Sequence, residues 1–173
     1  MGAITLITGG ARSGKSMQAL KLALPYQRKF FVATGEALDD EMSARIEFHR
    51  TTRPQEFRTV EEPVKVVAAL EEIGNSADLV VLDCLTLWVS NLMQWQSSDD
   101  GPILAEADKL AAALKSAPFA SIVVTDEVGS GIVPTDHAES RRFRDLLGWT
   151  NQKVASAADD VILMVAGYPL KLK

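Results

Sequence analysis

Short apolar runs of strand length alternate along the chain with longer segments of helical composition. "AITLIT" (3–8), "KFFVAT" (29–34), "DLVVLD" (78–83), "ASIVVTD" (120–126) and "DVILMVAG" (160–167) are aliphatic or β-branched at successive positions. Such runs lack the polar alternation of a half-exposed strand and predict strands covered on both faces. Between them the pattern predicts helices over roughly 15–24, 39–50, 62–73, 85–95, 103–116 and 138–158. Strands and helices in alternation predict an α/β fold: a mostly parallel, doubly wound sheet with helices on both faces, three layers in all. The strand ends fall near Gly9, Thr34, Asp83 and Asp126. In sheets of this kind ligands bind beyond the carboxyl ends of the strands. "QSSDDGP" (96–102) is the clearest loop signal but too brief to divide domains, so residues 1–173 are expected to form one domain.

Composition narrows the class of function. An apolar share of 47% and a charged share of 24% are ordinary for a globular protein. A net charge of -5 argues against a partner held by general electrostatic attraction, so no nucleic acid is expected. Cys84 is the only cysteine, which excludes an internal disulfide and a cysteine-based zinc cluster and suits a reducing compartment. "MGAITLITGG" has no basic region and too short an apolar run for a signal peptide, and no stretch is long and apolar enough for a membrane span. A cytoplasmic location is expected.

The first chemistry-bearing motif lies between the first strand and the first helix. "GGARSGKS" matches G-x-x-x-x-G-K-[ST] through Gly9, Gly10, Ala11, Arg12, Ser13, Gly14, Lys15 and Ser16. Glycines let backbone N–H groups converge on phosphate oxygens, and a helix N-terminus adds partial positive charge. Lys15 is expected to reach the β- and γ-phosphates and Ser16 to place its hydroxyl on Mg²⁺. Two strand ends offer the acid that would complete such a site: Asp83 after "LVVL", and Asp126 with Glu127 after "IVVT". Asp83 reads equally as the cap of the helix that follows, and Asp126–Glu127 as a solvated turn.

A switch-type GTPase would carry an Asn-Lys-x-Asp segment late in the chain, and "TNQKVAS" (150–156) lacks the acid. A metabolic kinase or nucleotidyl transferase remains. The segment "ARIEFHRTTRP" (44–54) then becomes informative. On a helix Arg45 and His49 are one turn apart on one face, Glu41 lies a turn before Arg45, and Arg50 and Arg53 follow before Pro54 ends the helix. Guanidinium groups suit a phosphate, not a metal, and neighbouring cations disfavour imidazolium, which leaves a lone pair for attack. From spacing alone two readings stand open: a solvated helix face, or a nucleophile facing phosphate.

In their order, "TGGARSGKS", "ATGEALDDEMSARIEFHRTTRP", "RTVEEP", "VLDCLTLWVSNLM", "VTDEVGSGIVP" and "RRFRDLLGWTNQKVASAADDVILMVAG" resemble the bifunctional adenosylcobinamide kinase / adenosylcobinamide-phosphate guanylyltransferase family of cobalamin biosynthesis. The resemblance spans nearly the whole chain, and "EVGSGIVP" and "RIEFHR" are its most specific parts. It implies a RecA-like P-loop fold and a homotrimer. It implies phosphorylation of adenosylcobinamide with ATP or GTP, then transfer of GMP from GTP to adenosylcobinamide phosphate, with release of pyrophosphate. The family carries GMP on a histidine, and the matching position is His49. Some members have two adjacent histidines there, and Phe48 replaces the first in this chain. The resemblance extends the nucleotide contacts from the phosphate loop to Thr34, Gly35, Glu36, Arg50, Thr51, Thr52, Arg53, Glu61 and Asp83, with Ser16 and Asp83 on Mg²⁺. A P-loop small-molecule kinase without nucleotidyl transfer and a nucleotide-binding switch are the alternatives.

The other residues that draw notice have ordinary readings beside functional ones. Trp88, Trp95 and Trp149 suit core or interface packing, or the wall of a corrinoid pocket. Cys84 reads as a small buried filler and His137 as a loop or helix-start residue. Asn151 is left open between a substrate contact and a packed-helix cap.

Overall fold

The computed structural model describes residues 2–37, 39–52, 54–95, 99–131 and 136–173; the side chains of Glu41, Arg45, Phe48, His49 and Thr52 lie outside that description. Among the described residues seven strands form one sheet: β1 (Ile4–Gly9), β2 (Lys29–Ala33), β3 (Phe57–Glu61), β4 (Leu79–Asp83), β5 (Ala120–Val124), β6 (Asp160–Val165) and β7 (Tyr168–Lys171). Their order is β3-β2-β4-β5-β1-β6-β7, and every pairing is parallel except that of β6 with β7. Among the described residues six α-helices connect them: α1 (Lys15–Ala23), α2 (Asp40–Thr52), α3 (Val66–Ile73), α4 (Leu85–Trp95), α5 (Asp100–Ser116) and α6 (Ala138–Ala157).

The uninterrupted apolar strands are covered on both faces, as expected. Leu6, Val32, Val80, Leu82 and Val123 point to one side, where α3, α4, α5 and α6 supply Leu70, Trp88, Leu92, Leu110, Leu114 and Leu147. Their sequence neighbours Ile7, Phe31, Val81, Ile122 and Val124 point to the other, against Ala19 and Ala23 of α1. A run such as "LVVL" therefore feeds two cores, one residue at a time.

The five anticipated strands are present, and two more stand at the two edges of the sheet. In β3 only Phe57 is buried, while Arg58, Thr59 and Glu61 are exposed, so the apolar signal is one residue deep. All four residues of β7 are exposed, and Pro169 interrupts its donor pattern as an edge strand tolerates. Helix boundaries shift for local reasons. α3 begins at Val66, not at residue 62, because the Glu62 carboxylate accepts from the Val64 and Lys65 amides and holds a turn there. α5 begins at Asp100, within the expected loop, because Asp99 caps it through the Gly101 amide. β5 ends at Val124, although the Thr125 amide still donates to the Ile7 carbonyl oxygen of β1 at 2.9 Å.

Candidate active site

The phosphate loop forms because three of its residues take positive φ: Gly9 at 150°, Arg12 at 57° and Gly14 at 99°. A Cβ at Gly9 would stand 2.6 Å from the Met164 carbonyl oxygen and 2.7 Å from Ser13 Oγ, so only glycine fits there. Gly14 opens α1, and a Cβ on it would meet Gly167 Cα at 3.2 Å. The neighbour is the turn between β6 and β7, where Ala166 and Gly167 both have positive φ, as a two-residue hairpin turn requires. The Gly167 amide donates to the Ser13 carbonyl oxygen at 2.9 Å, which fastens that turn to the loop.

Lys15 is buried and folded against its own loop. Its ammonium donates to the Gly10 carbonyl oxygen at 2.7 Å and pairs with Asp126 Oδ1 at 2.7 Å. Asp126 lies just past β5, the strand beside β1, and two neighbours fix its backbone. Its amide donates to Thr86 Oγ1 at 2.9 Å, and its carbonyl oxygen accepts from Asn151 Nδ2 at 3.2 Å. Thr125 Oγ1 donates to Asn151 Oδ1 at 2.7 Å, so α4 and α6 both hold the end of β5. Glu127 behaves as the turn reading expected: its Oε1 accepts from the Gly129 and Ser130 amides at 2.6 and 3.0 Å. The two acids thus separate, Glu127 to its turn and Asp126 to Lys15.

Asp83 ends β4, on the far side of β5 from the phosphate loop. Ser16 and Asp83 both offer hard oxygen donors at half-buried positions. Magnesium takes few protein ligands and keeps several waters, so this donor pair suits it. Among the described residues no three His, Cys, Asp or Glu side chains cluster tightly enough to hold a metal by themselves.

Thr34, Gly35 and Glu36 follow β2. Thr34 is fully buried and its hydroxyl is committed: it donates to the Cys84 carbonyl oxygen at 2.7 Å and accepts from the Cys84 amide at 2.9 Å. Asn91 of α4 donates to the carbonyl oxygens of Thr34 at 2.7 Å and Pro63 at 3.0 Å. This knot joins the ends of β2 and β4 to α4, and each buried backbone group it serves would cost about 1–3 kcal/mol if left unmet. Thr34 is therefore a structural tie between the ends of β2 and β4. The signal in the sequence is a lone amide, Asn91, inside the mostly apolar "LTLWVSNLM". A Cβ on Gly35 would touch Ile46 of α2 and Leu87 of α4, both at 3.4 Å, so α2 lies against this loop.

Arg50 and Glu61 approach to 4.0 Å and tie α2 to the end of β3, both well exposed and so weakly coupled. Thr51 Oγ1 donates back to the Glu47 carbonyl oxygen at 2.9 Å. His49 falls within α2; its side chain, that of Thr52, and Arg53 lie outside the described residues.

The tryptophans divide. Trp88 is wholly buried, its indole donating to the Val64 carbonyl oxygen at 2.9 Å. Trp95 is 60% exposed and donates to Glu36 Oε2 at 2.9 Å. Trp149 lines a shallow hollow with Leu104, Gln152 and Lys153 on the side of the sheet remote from α1. Cys84 is buried, and burial followed by the nearby Asp83 charge pushes its thiol up to about 12, which keeps it protonated and unreactive. His137 is exposed at the cap position of α6.

Known proteins resemble this chain along its length. The family described as cobinamide kinase / cobinamide phosphate guanyltransferase matches residues 5–172. The bifunctional adenosylcobalamin biosynthesis protein CobU of Escherichia coli (strain K12) is 41% identical over 97% of this chain and 98% of its own length. The corresponding CobP of Pseudomonas aeruginosa is 40% identical over 97% of this chain and 96% of its own. CobU of Salmonella typhimurium is 38% identical over 97% and 98%. Among solved structures, a prototypical ATPase from the type III secretion system of pathogenic bacteria superposes with a TM-score of 0.58 at 14% identity, covering 94% of this chain and 51% of that one. The RadB recombinase superposes at 0.52 with 17% identity, covering 93% and 73%. At such identities the two structures speak for the fold alone, a RecA-like P-loop α/β sheet.

Proposed function

The chain belongs to the cobinamide kinase / cobinamide phosphate guanyltransferase family, and from that premise we propose that residues 1–173 form one catalytic domain in which His49 carries GMP between the two substrates. The enzyme is a bifunctional transferase of adenosylcobalamin biosynthesis. It phosphorylates adenosylcobinamide, then transfers GMP from GTP to adenosylcobinamide phosphate, giving adenosylcobinamide-GDP and pyrophosphate.

The observation that carries the reading is a family match running from the first strand to the last, over a phosphate loop whose lysine is already held at its mouth. Gly9 to Ser16 cradle the triphosphate of either donor, ATP or GTP, and Lys15 meets its β- and γ-phosphates. Ser16 and Asp83 would hold Mg²⁺, which would neutralise charge on the phosphates. Gly35 and Glu36, beyond β2, Arg50 and Thr51, near the end of α2, and Glu61, at the end of β3, contact the nucleotide, joined by Thr52 and Arg53 of the same motif. The imidazole of His49 attacks the α-phosphorus of GTP, a P–N bond forms, and pyrophosphate leaves with the electron pair of the broken P–O bond. The phosphate of the corrinoid then takes GMP from the nitrogen.

Support for the carrier comes from position as well as family. Ile46 brings α2 against the loop after β2, and His49 follows within a turn. The protein works in the cytoplasm as a homotrimer; none of the described helices is long and apolar enough to cross a membrane. The trimer reading draws support from Val165, Tyr168, Leu170 and Leu172, large apolar residues exposed along the β6–β7 edge, and sedimentation equilibrium would read the mass directly.

The test is covalent. Incubation with GTP labelled at the α-phosphate, followed by denaturation, should leave label on the protein in an acid-labile, alkali-stable bond, and proteolysis should place it in the peptide containing His49. Bound GTP and intact phosphorylation of adenosylcobinamide with no adduct would leave a kinase alone.

A further inference from the structure

The two reactions differ in one chemical respect. Guanylylation begins with a neutral imidazole lone pair, which has no proton to lose at the attacking atom. Phosphorylation begins with a hydroxyl, whose proton must go somewhere as the oxygen attacks. The kinase half therefore needs a base that the guanylyl half does not, and nothing above supplies one.

We propose that Asp126 is that base. Its carboxylate is 2.7 Å from the Lys15 ammonium, the cation that meets the β- and γ-phosphates of a triphosphate on this loop. A carboxylate bonded to that ammonium stands within a few ångströms of the γ-phosphorus, where the acceptor hydroxyl must also stand. When the phosphates draw the ammonium away, the carboxylate keeps its place, because its backbone is tied to Thr86 and Asn151. The other acids are engaged differently: Glu127 Oε1 caps its own turn, and Asp83 lies one strand further out. Asp126 thus stands just past β5, the strand between the one that bears the phosphate loop and the one that ends at Asp83.

In the step itself the corrinoid hydroxyl oxygen attacks the γ-phosphorus and a new P–O bond forms. The bond between the γ-phosphorus and the bridging oxygen breaks, and the nucleoside diphosphate leaves with the electron pair. The hydroxyl proton passes to the Asp126 carboxylate and from there to solvent.

The inference rests on the proposed pair of reactions, and the experiment separates its failure from theirs. Wild-type enzyme is assayed for phosphorylation of adenosylcobinamide, and absence of turnover there counts against that reading. Asp126→Asn, close in shape and still able to accept from Lys15, is then assayed for both halves in single turnover, with thermal melting as the check on folding. The expected result is a loss of about 10²–10⁴-fold in phosphorylation. Guanylylation by α-labelled GTP should fall by no more than about tenfold, through the looser grip on Lys15. Asp126→Glu, which keeps the carboxylate on a longer stem, should recover part of the phosphorylation lost in Asp126→Asn. An equal fall in both halves, as a merely structural or metal-binding role would give, overturns the assignment. So does unimpaired phosphorylation in Asp126→Asn, or a glutamate variant no faster than the asparagine one.

Discussion

Replacing His49 with alanine should erase the GMP adduct and cut guanylyl transfer by at least about 10⁴-fold, the scale on which removal of a covalent nucleophile is felt. Phosphorylation of adenosylcobinamide should continue at close to its original rate, because that step passes the phosphoryl group directly to the hydroxyl. The split is the diagnostic part of the result. A variant that merely disturbed α2 would weaken any nucleotide contacts made by Arg50 and its neighbours, raising KM for both halves together. His137, the chain's other histidine, is exposed at the start of α6 and serves as the control: His137→Ala should keep the adduct. Single-turnover labelling with α-labelled GTP, read beside γ-phosphate transfer to the corrinoid, decides the matter. Persistent label in His49→Ala would remove the carrier role altogether.

Lys15→Ala makes the opposite prediction, a loss shared by both halves. The ammonium is the charge that this loop brings to the β- and γ-phosphates. Removing one preorganised donor of this kind typically costs 10²–10³-fold or more, or about 3–4 kcal/mol of transition-state stabilisation. The same substitution strands the Asp126 carboxylate beside the loop, since its cation at 2.7 Å is gone. Asp126 keeps partial access to water, so the accompanying loss of stability should be modest. kcat/KM measured separately for phosphorylation and guanylylation should fall together by about 10³-fold. A fall confined to one half would mean that the two reactions do not share this phosphate site.

Much of this was legible before any coordinates, and the reasons are physical. The central strands announce themselves because burial on both faces forces every residue to be apolar, as in "LVVL" and "SIVV". The phosphate loop is legible because its geometry restricts which residues can occupy it, and Gly9 and Gly14 are the positions where the backbone demands it. The edge strands are another matter. Phe57 is the one buried residue of β3, and β7 has none, so neither carries a hydrophobic pattern to be read. Partnerships across the chain were also out of reach. Lys15 with Asp126, and Thr34 with Cys84 and Asn91, join residues far apart in sequence through strand order, which the local pattern does not encode. Strand-end position alone left Asp83, Asp126 and Glu127 as equals, and hydrogen bonds tell the last two apart. Trp88, Trp95 and Trp149 were likewise alike in the sequence, and burial and partners sorted them.

The hairpin turn that donates from Gly167 to Ser13 bears on how the molecule comes into being. The phosphate loop is synthesised well before the turn that fastens it. β1 is central in the sheet, yet both of its neighbours, β5 and β6, are synthesised long after it. A nascent chain therefore carries the phosphate loop without that fastening until β6, β7 and the turn between them have been made. Competence to hold a triphosphate therefore waits for the β6–β7 hairpin to close against the first loop.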